Sequence, residues 1–576
     1  MLPADVVPAP SALAQLYPKR RCTLWQVKRE HVMSHTQPST TSSPFPYQHH
    51  VKPTLASATT PTNTQPLESA GEYQQASVKL DVEQALRGEP LRVLVVASEG
   101  VPYVKTGGPA DVIGALPQAL QRLGHDVRVV LPRYNSIDPG RWHLLPIAAD
   151  LMVPLHHTTI NVRVLQTGEE AAVPFYFIEA PHYFQREKLY GYNDDGDRFI
   201  LFCRAALELV RAIGWSPDII HCHDWHTAII PNWTKTVYKD DPLFASTATV
   251  YTIHNLAYQG IFGYRILEVA GIAEEGFIYP EVPELANVVD LMGRGILFAD
   301  AVSTVSPRYA QEILTPEFGE RLDPLLRQRK DRLYGILNGI DTVEYNPATD
   351  SHIVSHYDAF SLEQRPPNKL ALQERTKLPV DPHIPLIGVI SRLTDQKGFD
   401  LLDQIAVPLL EQGIQLIVSG TGDQHYHSMF QRLAARYPQQ ASIHLTFNQE
   451  MSQQIYSGSD ILIMPSRFEP CGSTQMLAMR YGSIPVVHRT GGLSDTVQNF
   501  DPQAKAGNGF SFAPYQPFHL FAAIVRALEA YQFTGDWRDL MQRAMLADYS
   551  WDASAEQYVA LYRRAQELQR ISASRR

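Results

Sequence analysis

"LRVLVVASEGVPYVKTGGPADVIGALPQALQRLGHDVRVVLP", residues 91–132, decides how the chain folds. A short β-branched apolar run ends in a polar turn, a Gly107-Gly108 pair opens an apolar-periodic stretch of helical spacing, and "HDVRVVLP" supplies a second strand. This is a strand–helix–strand unit, and such units build parallel sheets covered by helices. Comparable units recur in "PDIIHCHDWHTAIIPNW", "ATVYTIHNLAYQG" and "ADAVSTVSPRYAQEIL". After "YGILNGIDTVEYNP" the pattern restarts with "PLIGVISRLTDQKGFDLLDQIAVPLL", "IQLIVSGTGDQ", "ASIHLTF", "DILIMPSRFEPCG" and "SIPVVHRTGGLSDTV". Two doubly wound α/β domains follow, joined near residues 340–385, where Pro366, Pro367, Pro379, Pro382 and Pro385 cluster. The cleft between them is the expected ligand site.

Composition bounds the function. The 576 residues are 44% hydrophobic and 19% charged, enough for two ordinary cores. A net charge of −10 argues against a nucleic-acid partner, and no apolar run reaches the ~18 residues of a membrane span. Cys22, Cys203, Cys222 and Cys471 form no CxxC pair, which suits reduced thiols in the cytoplasm. Residues 1–90 differ: Ser34 to Pro66 holds no Asp or Glu and is rich in Ser, Thr, Pro, Gln and His, so an N-terminal disordered extension is expected. Its basic bias would also suit a plastid transit peptide, and Met33 is an alternative start.

The turns narrow the ligand. In "KTGGPADV", Lys105 precedes two glycines at a helix start, an anion-attracting arrangement that matches neither the Walker nor the dinucleotide glycine pattern. "SRLTDQKG" ends a strand of the second domain with Arg392 and Lys397. Cations on both sides of the cleft would suit a diphosphate held between the domains. "PSRFEPCGSTQ", residues 465–475, adds a carboxylate, Glu469, at another strand-to-helix turn. His221, His223 and His226 lie close in sequence, but the alternation of the first two suits a strand, and a metal site is not expected.

Those motifs occur in the order and spacing of the bacterial glycogen synthases and plant starch synthases, and the resemblance runs from about Leu91 to about Leu568. It implies a GT-B fold of two Rossmann-like domains facing across a cleft: residues 91–340 on the acceptor side, 341–550 binding the nucleotide sugar, and 551–576 a helix crossing back to the first domain through the stripe Tyr558, Leu561, Tyr562, Ala565 and Leu568. It implies transfer of glucose from ADP-glucose to the non-reducing end of an α-1,4-glucan with retention, without a metal or other cofactor. By resemblance, Lys105, Gly107 and Gly108, followed by Asp111, meet the donor diphosphate, while Arg392 and Lys397 neutralise the leaving group. His254 approaches the glucosyl 6-hydroxyl, and Asp224 and Glu99 are acids at the cleft mouth. Glu469 faces the transferred glucose as an electrostatic group, Cys471 and Gly472 bind it through backbone, Asn338 lies at the domain junction, and Phe447 lies against the base.

The chain departs from the family pattern at Pro109, at Gly293-Arg294 and at Arg321. Two other readings are a GT-B enzyme using UDP-glucose or another acceptor, and a non-catalytic glucan-binding relic. The position eight residues after Glu469, where more distant GT-B families generally keep a second carboxylate, is Leu477, which opposes the first; intact Lys105, Arg392, Lys397 and Glu469 oppose the second.

Overall fold

The computed structural model describes residues 80–272, 288–446 and 448–574; the readings made for the extension up to residue 79 and for Phe447 lie outside these. Seventeen strands are named in chain order. The first eleven are β1 (Arg92–Val96), β2 (Asp126–Pro132), β3 (Leu145–Leu155), β4 (Thr158–Gln166), β5 (Phe175–Glu179), β6 (Ile219–His223), β7 (Ala248–Ile253), β8 (Ile261–Gly263), β9 (Val288–Asp290), β10 (Ala301–Thr304) and β11 (Leu333–Gly335). The second domain adds β12 (Leu386–Ile390), β13 (Gln415–Ser419), β14 (Ala441–His444), β15 (Ile461–Met464), β16 (Ile484–His488) and β17 (Phe510–Phe512).

One sheet has the order β11-β10-β7-β6-β1-β2-β5-β4-β3, parallel from β11 to β5 and antiparallel through β4 and β3; the other, β14-β13-β12-β15-β16-β17, is wholly parallel. Strands covered by helices on both faces bury every side chain, so β7, β13, β15 and β16 are near-continuous apolar runs rather than alternating ones, and β6 buries His221 and His223 among its apolar residues. Strand order reverses direction between β1 and β6 in the first sheet and between β12 and β15 in the second. At such a reversal the helices leave to opposite faces, opening a crevice at the carboxyl ends of the strands.

Three details differ from the sequence reading. The ordered chain starts before Leu91: Asp81 accepts a hydrogen bond from the backbone of Gln84 to cap the helix Val82–Leu86, which buries Ala85 against the last helix, and Arg563 bonds the carbonyl of Glu89. Five helical residues are too few for periodicity to reveal. Residues 341–385 are not a connector: Ile353, Tyr357, Leu362, Leu372 and Leu378 belong to the second core, and Pro366 and Pro367 open a helix, where a missing N–H costs nothing. The junction itself is narrow, with Ile340 bonding the Tyr549 carbonyl and bridging to Ser550, and Gly339 set so close to Trp551 that a Cβ would lie 2.5 Å from its backbone nitrogen. Beyond it the helix Trp551–Ser574 packs on β7, β10 and the helix Gly108–Arg122, with Tyr558, Leu561, Tyr562, Ala565 and Leu568 all buried.

Candidate active site

The residues singled out in the sequence gather at the two switch points. On the first domain they follow β1, β6 and β7. The Gly107 backbone is extended, Gly108 begins a 15-residue helix, and Pro109 sits in its first turn, where it removes no needed donor. A Cβ at Gly108 would meet nothing, so the N-terminus of this helix is open to an approaching group. Lys105 donates to Asp111 at 2.7 Å, with both side chains about half exposed. Such a pair is weak and readily exchanged for a stronger anion.

Of the two acids expected at the cleft mouth, Glu99 is buried and Asp224 half-buried, and both carboxylates brace neighbouring backbone. The Glu99 carboxylate accepts from the Thr106 N–H and hydroxyl, tying the glycine turn to the end of β1. Burial raises its pKa, partly offset by those bonds. Asp224 is held at φ 55°, a region that a non-glycine residue seldom occupies, and accepts from the His254 N–H at 2.9 Å. Burial, reinforced by the Glu99 charge, pushes its pKa up to about 7. His254 bonds through Nε2 to His223 Nδ1 at 2.9 Å, and burial drives its pKa down to about 3, so the ring is neutral. His221 and His226 have other partners. His221 bonds the Tyr562 and Thr252 hydroxyls, whereas His226 packs on Tyr190, Phe199 and Trp225. Among the described residues no three His, Cys, Asp or Glu are grouped to hold a metal ion.

On the second domain the loops after β12, β15 and β16 converge. Lys397 Nζ donates to Glu469 Oε2 at 2.5 Å and the Ser466 hydroxyl donates to the same oxygen at 3.0 Å; the two charged side chains are only 15% and 9% exposed. Gly398, at φ 75°, would place a Cβ 1.9 Å from the Pro465 carbonyl, which is why the loop carrying Lys397 can lie directly on the loop carrying Glu469. Arg392 on the same loop is exposed and has no side-chain hydrogen bond or ion pair among the described residues. Cys471 is buried, its thiol pushed up to about 12 by burial, with the Asn338 backbone hydrogen-bonded to it. Gly472 is left-handed at φ 72°, and Gln475 fastens the turn by donating to the Cys471 and Gly472 carbonyls.

"RTGGLSDTV" contributed no residue to the sequence-based site, yet it braces Glu469. A Cβ on Gly491 would lie 1.9 Å from the Glu469 carbonyl oxygen, and one on Gly492 2.0 Å from that of Cys471. The paired glycines after a strand were the available signal. The same turn is clasped by the first domain. Glu312, on the helix Pro307–Glu312, accepts from the Gly491 N–H, and Asp495 accepts in return from the Arg308 N–H at 2.9 Å. Each helix thus caps the other across the domain boundary, an arrangement only the tertiary structure reveals. Arg294 is buried and donates to Asn232 Oδ1 at 2.8 Å.

Known proteins match this arrangement along the chain. Residues 92–328 match the starch synthase catalytic domain family, and residues 372–540 match the glycosyl transferases group 1 family. A glycogen synthase of Moorella thermoacetica is 46% identical over 489 residues, covering 84% of this chain and 99% of that protein. One from Desulforudis audaxviator is 43% identical, covering 83% and 97%. The solved catalytic domain of starch synthase IV from Arabidopsis thaliana, bound to ADP and acarbose, superposes with a TM-score of 0.76 at 35% identity, covering 83% of this chain and all of that one.

Proposed function

Since the chain belongs to the glycogen synthase and starch synthase family of glycosyltransferases, we propose that it transfers glucose from ADP-glucose to the non-reducing end of an α-1,4-glucan, retaining the anomeric configuration. The observation that carries this reading is the largely buried Lys397–Glu469 pair at the switch point of the second sheet, next to Arg392, which is unpaired among the described residues. Lys397 and Arg392 receive the diphosphate, and charge on that leaving group grows as the glycosidic bond lengthens, so both cations stabilise the transition state more than the ground state. When Lys397 turns to phosphate, the Glu469 carboxylate loses its cation and is left beside an anomeric carbon that becomes positive.

From the opposite wall, Lys105 exchanges Asp111 for the diphosphate, and the open helix start at Gly108 adds backbone N–H groups. His254 and the Cys471–Gly472 backbone hold the sugar hydroxyls. The acceptor hydroxyl attacks the face the phosphate leaves and passes its proton to that phosphate. Three cationic side chains do the work that a divalent ion does in other transferases, so the reaction needs no metal. The starch synthase solved with ADP and acarbose supports an adenine nucleotide and a glucan as the ligand pair.

The test is incorporation of labelled glucose into glycogen from ADP-glucose and from UDP-glucose, each with and without EDTA. Higher kcat/KM with ADP-glucose, unchanged by EDTA, is expected. No extension with either donor refutes the proposal, and activity lost in EDTA and restored by Mg²⁺ refutes its metal-free part.

A further inference from the structure

His223 is buried against His254, and its two ring nitrogens are in different situations. Nδ1 lies 2.9 Å from His254 Nε2 with the rings nearly parallel at 24°, while Nε2 is buried and has no hydrogen-bond partner among the described residues. His221 packs against it with the rings tilted, centres 4.0 Å apart, and both its nitrogens are occupied by the Tyr562 and Thr252 hydroxyls, so it offers His223 nothing. Burial beside two other imidazoles keeps His223 uncharged, and a neutral imidazole carries one proton.

Two arrangements satisfy the 2.9 Å contact. If His254 Nε2 carried the proton, His223 would accept at Nδ1 and hold its own proton on Nε2, leaving a buried N–H with no acceptor. If His223 Nδ1 carries it, the orphan is a bare lone pair instead. Buried N–H groups without partners are the rarer of the two in proteins. The second arrangement puts the proton of His254 on Nδ1, which has no protein partner among the described residues.

We infer that His223 is a positioning residue that fixes His254 as its Nδ1–H tautomer, so that His254 offers the transferred sugar a hydrogen-bond donor for a hydroxyl oxygen. The sugar contact rests on the function proposed above; the tautomer does not. Asp224 completes the support by holding the His254 backbone N–H, so that ring and main chain are fixed by neighbours on β6 and just beyond it.

Neutron diffraction from crystals of the full, deuterium-exchanged protein reads the tautomer directly. Deuterons on His223 Nδ1 and His254 Nδ1, with both Nε2 atoms bare, are expected; deuterons on both Nε2 atoms overturn the inference. The sugar contact is read from the ratio of kcat/KM for ADP-glucose to that for its 6-deoxyglucosyl analogue. Wild type should favour the hydroxylated donor by about 2- to 13-fold, the value of one neutral hydrogen bond. His223→Asn, whose amide can place an N–H where Nδ1 stood, should keep that ratio, and His223→Leu should bring it to about one while still folding. Equal ratios in all three proteins would remove His223 from donor positioning. Absence of transfer from every nucleotide sugar would sink the proposed function while leaving the neutron result to decide the tautomer.

Discussion

Removing Lys397 should destabilise the protein as well as slow it. The Lys397–Glu469 pair is 2.5 Å long with side chains 15% and 9% exposed, so it lies in the buried regime, where breaking one partner costs about 3–5 kcal/mol, and not in the surface regime of about 0–1 kcal/mol. In Lys397→Ala the carboxylate keeps only the Ser466 hydroxyl and is left as a nearly buried charge. Glu469→Gln strands a lysine instead, but its long stem can carry the ammonium toward the cleft, so the cost should be smaller, about 1–3 kcal/mol. Lys397→Ala with Glu469→Gln removes both charges and should recover most of the loss, giving a coupling energy of at least about 2 kcal/mol. For a domain of some 200 residues, the single Lys397→Ala loss corresponds to a fall in Tm of roughly 6–20 °C.

Urea titration of the four proteins, followed by intrinsic fluorescence, measures the cycle, and labelled-glucose transfer measures turnover. Glu469→Gln should leave KM for the donor nearly unchanged and lower kcat at least about 100-fold, because it removes a charge that matters most as the anomeric carbon becomes positive. Lys397→Ala should raise KM and lower kcat together. Additive single effects, or singles each below about 1 kcal/mol, would mean that water screens the pair and that the buried-pair reasoning is wrong. A Glu469→Gln enzyme with normal kcat and raised KM would reduce the carboxylate to a ground-state sugar contact.

Gly491→Ala should fold but lose about 100-fold in kcat, because its Cβ would sit 1.9 Å from the Glu469 carbonyl oxygen and only displacement of the catalytic loop relieves the contact; near-normal turnover would show that the loop is not set by this turn. Acid should unfold the first domain: burial lowers the pKa of His221, His226 and His254 to about 3, so each contributes stability present in full above the unfolded value near 6.5 and lost as pH falls toward 3. His226→Phe, which removes one of these groups inside an aromatic cluster, should reduce the slope of unfolding free energy between pH 6 and 4 by about 1.4 kcal/mol per pH unit, and an unchanged slope in urea titrations would refute it. Deletion through residue 79 should leave kcat within about 2-fold, whereas deletion through Gly88 should also lower Tm by a few degrees by removing the Asp81-capped helix and the burial of Ala85; equal Tm values would deny that helix a structural role.

The sheets could be read from the sequence because a strand buried on both faces is mostly apolar, and "LRVLVV", "TVYTIH" and "DILIMP" carry that signature, whereas "DIIHCH" carries it with two buried histidines. Part of the site could be read for a related reason: a chemistry-bearing side chain placed just after such a run must lie at the carboxyl end of its strand, which marks Lys397 and Glu469, whereas His254 is marked only by the family motif "TIHNLAYQG". What the side chains do there could not be read, because it depends on neighbours far away in sequence. Glu469 and Lys397 are 72 positions apart, and nothing local says that the carboxylate is paired with the lysine rather than free to face a ligand. No local pattern announces that the Glu99 carboxylate accepts from Thr106, seven positions on, and Glu312 gives no signal at all, since its partner Gly491 lies 179 positions away in the other domain. The His223–His254 pair marks the same boundary, for alternation along β6 could place His223 on a strand face but could not name the ring across from it or say which nitrogen of His254 carries the proton. Residues that bear the chemistry are therefore visible in this chain as local motifs, while those that set their charge, tautomer and orientation are visible only once distant segments have packed.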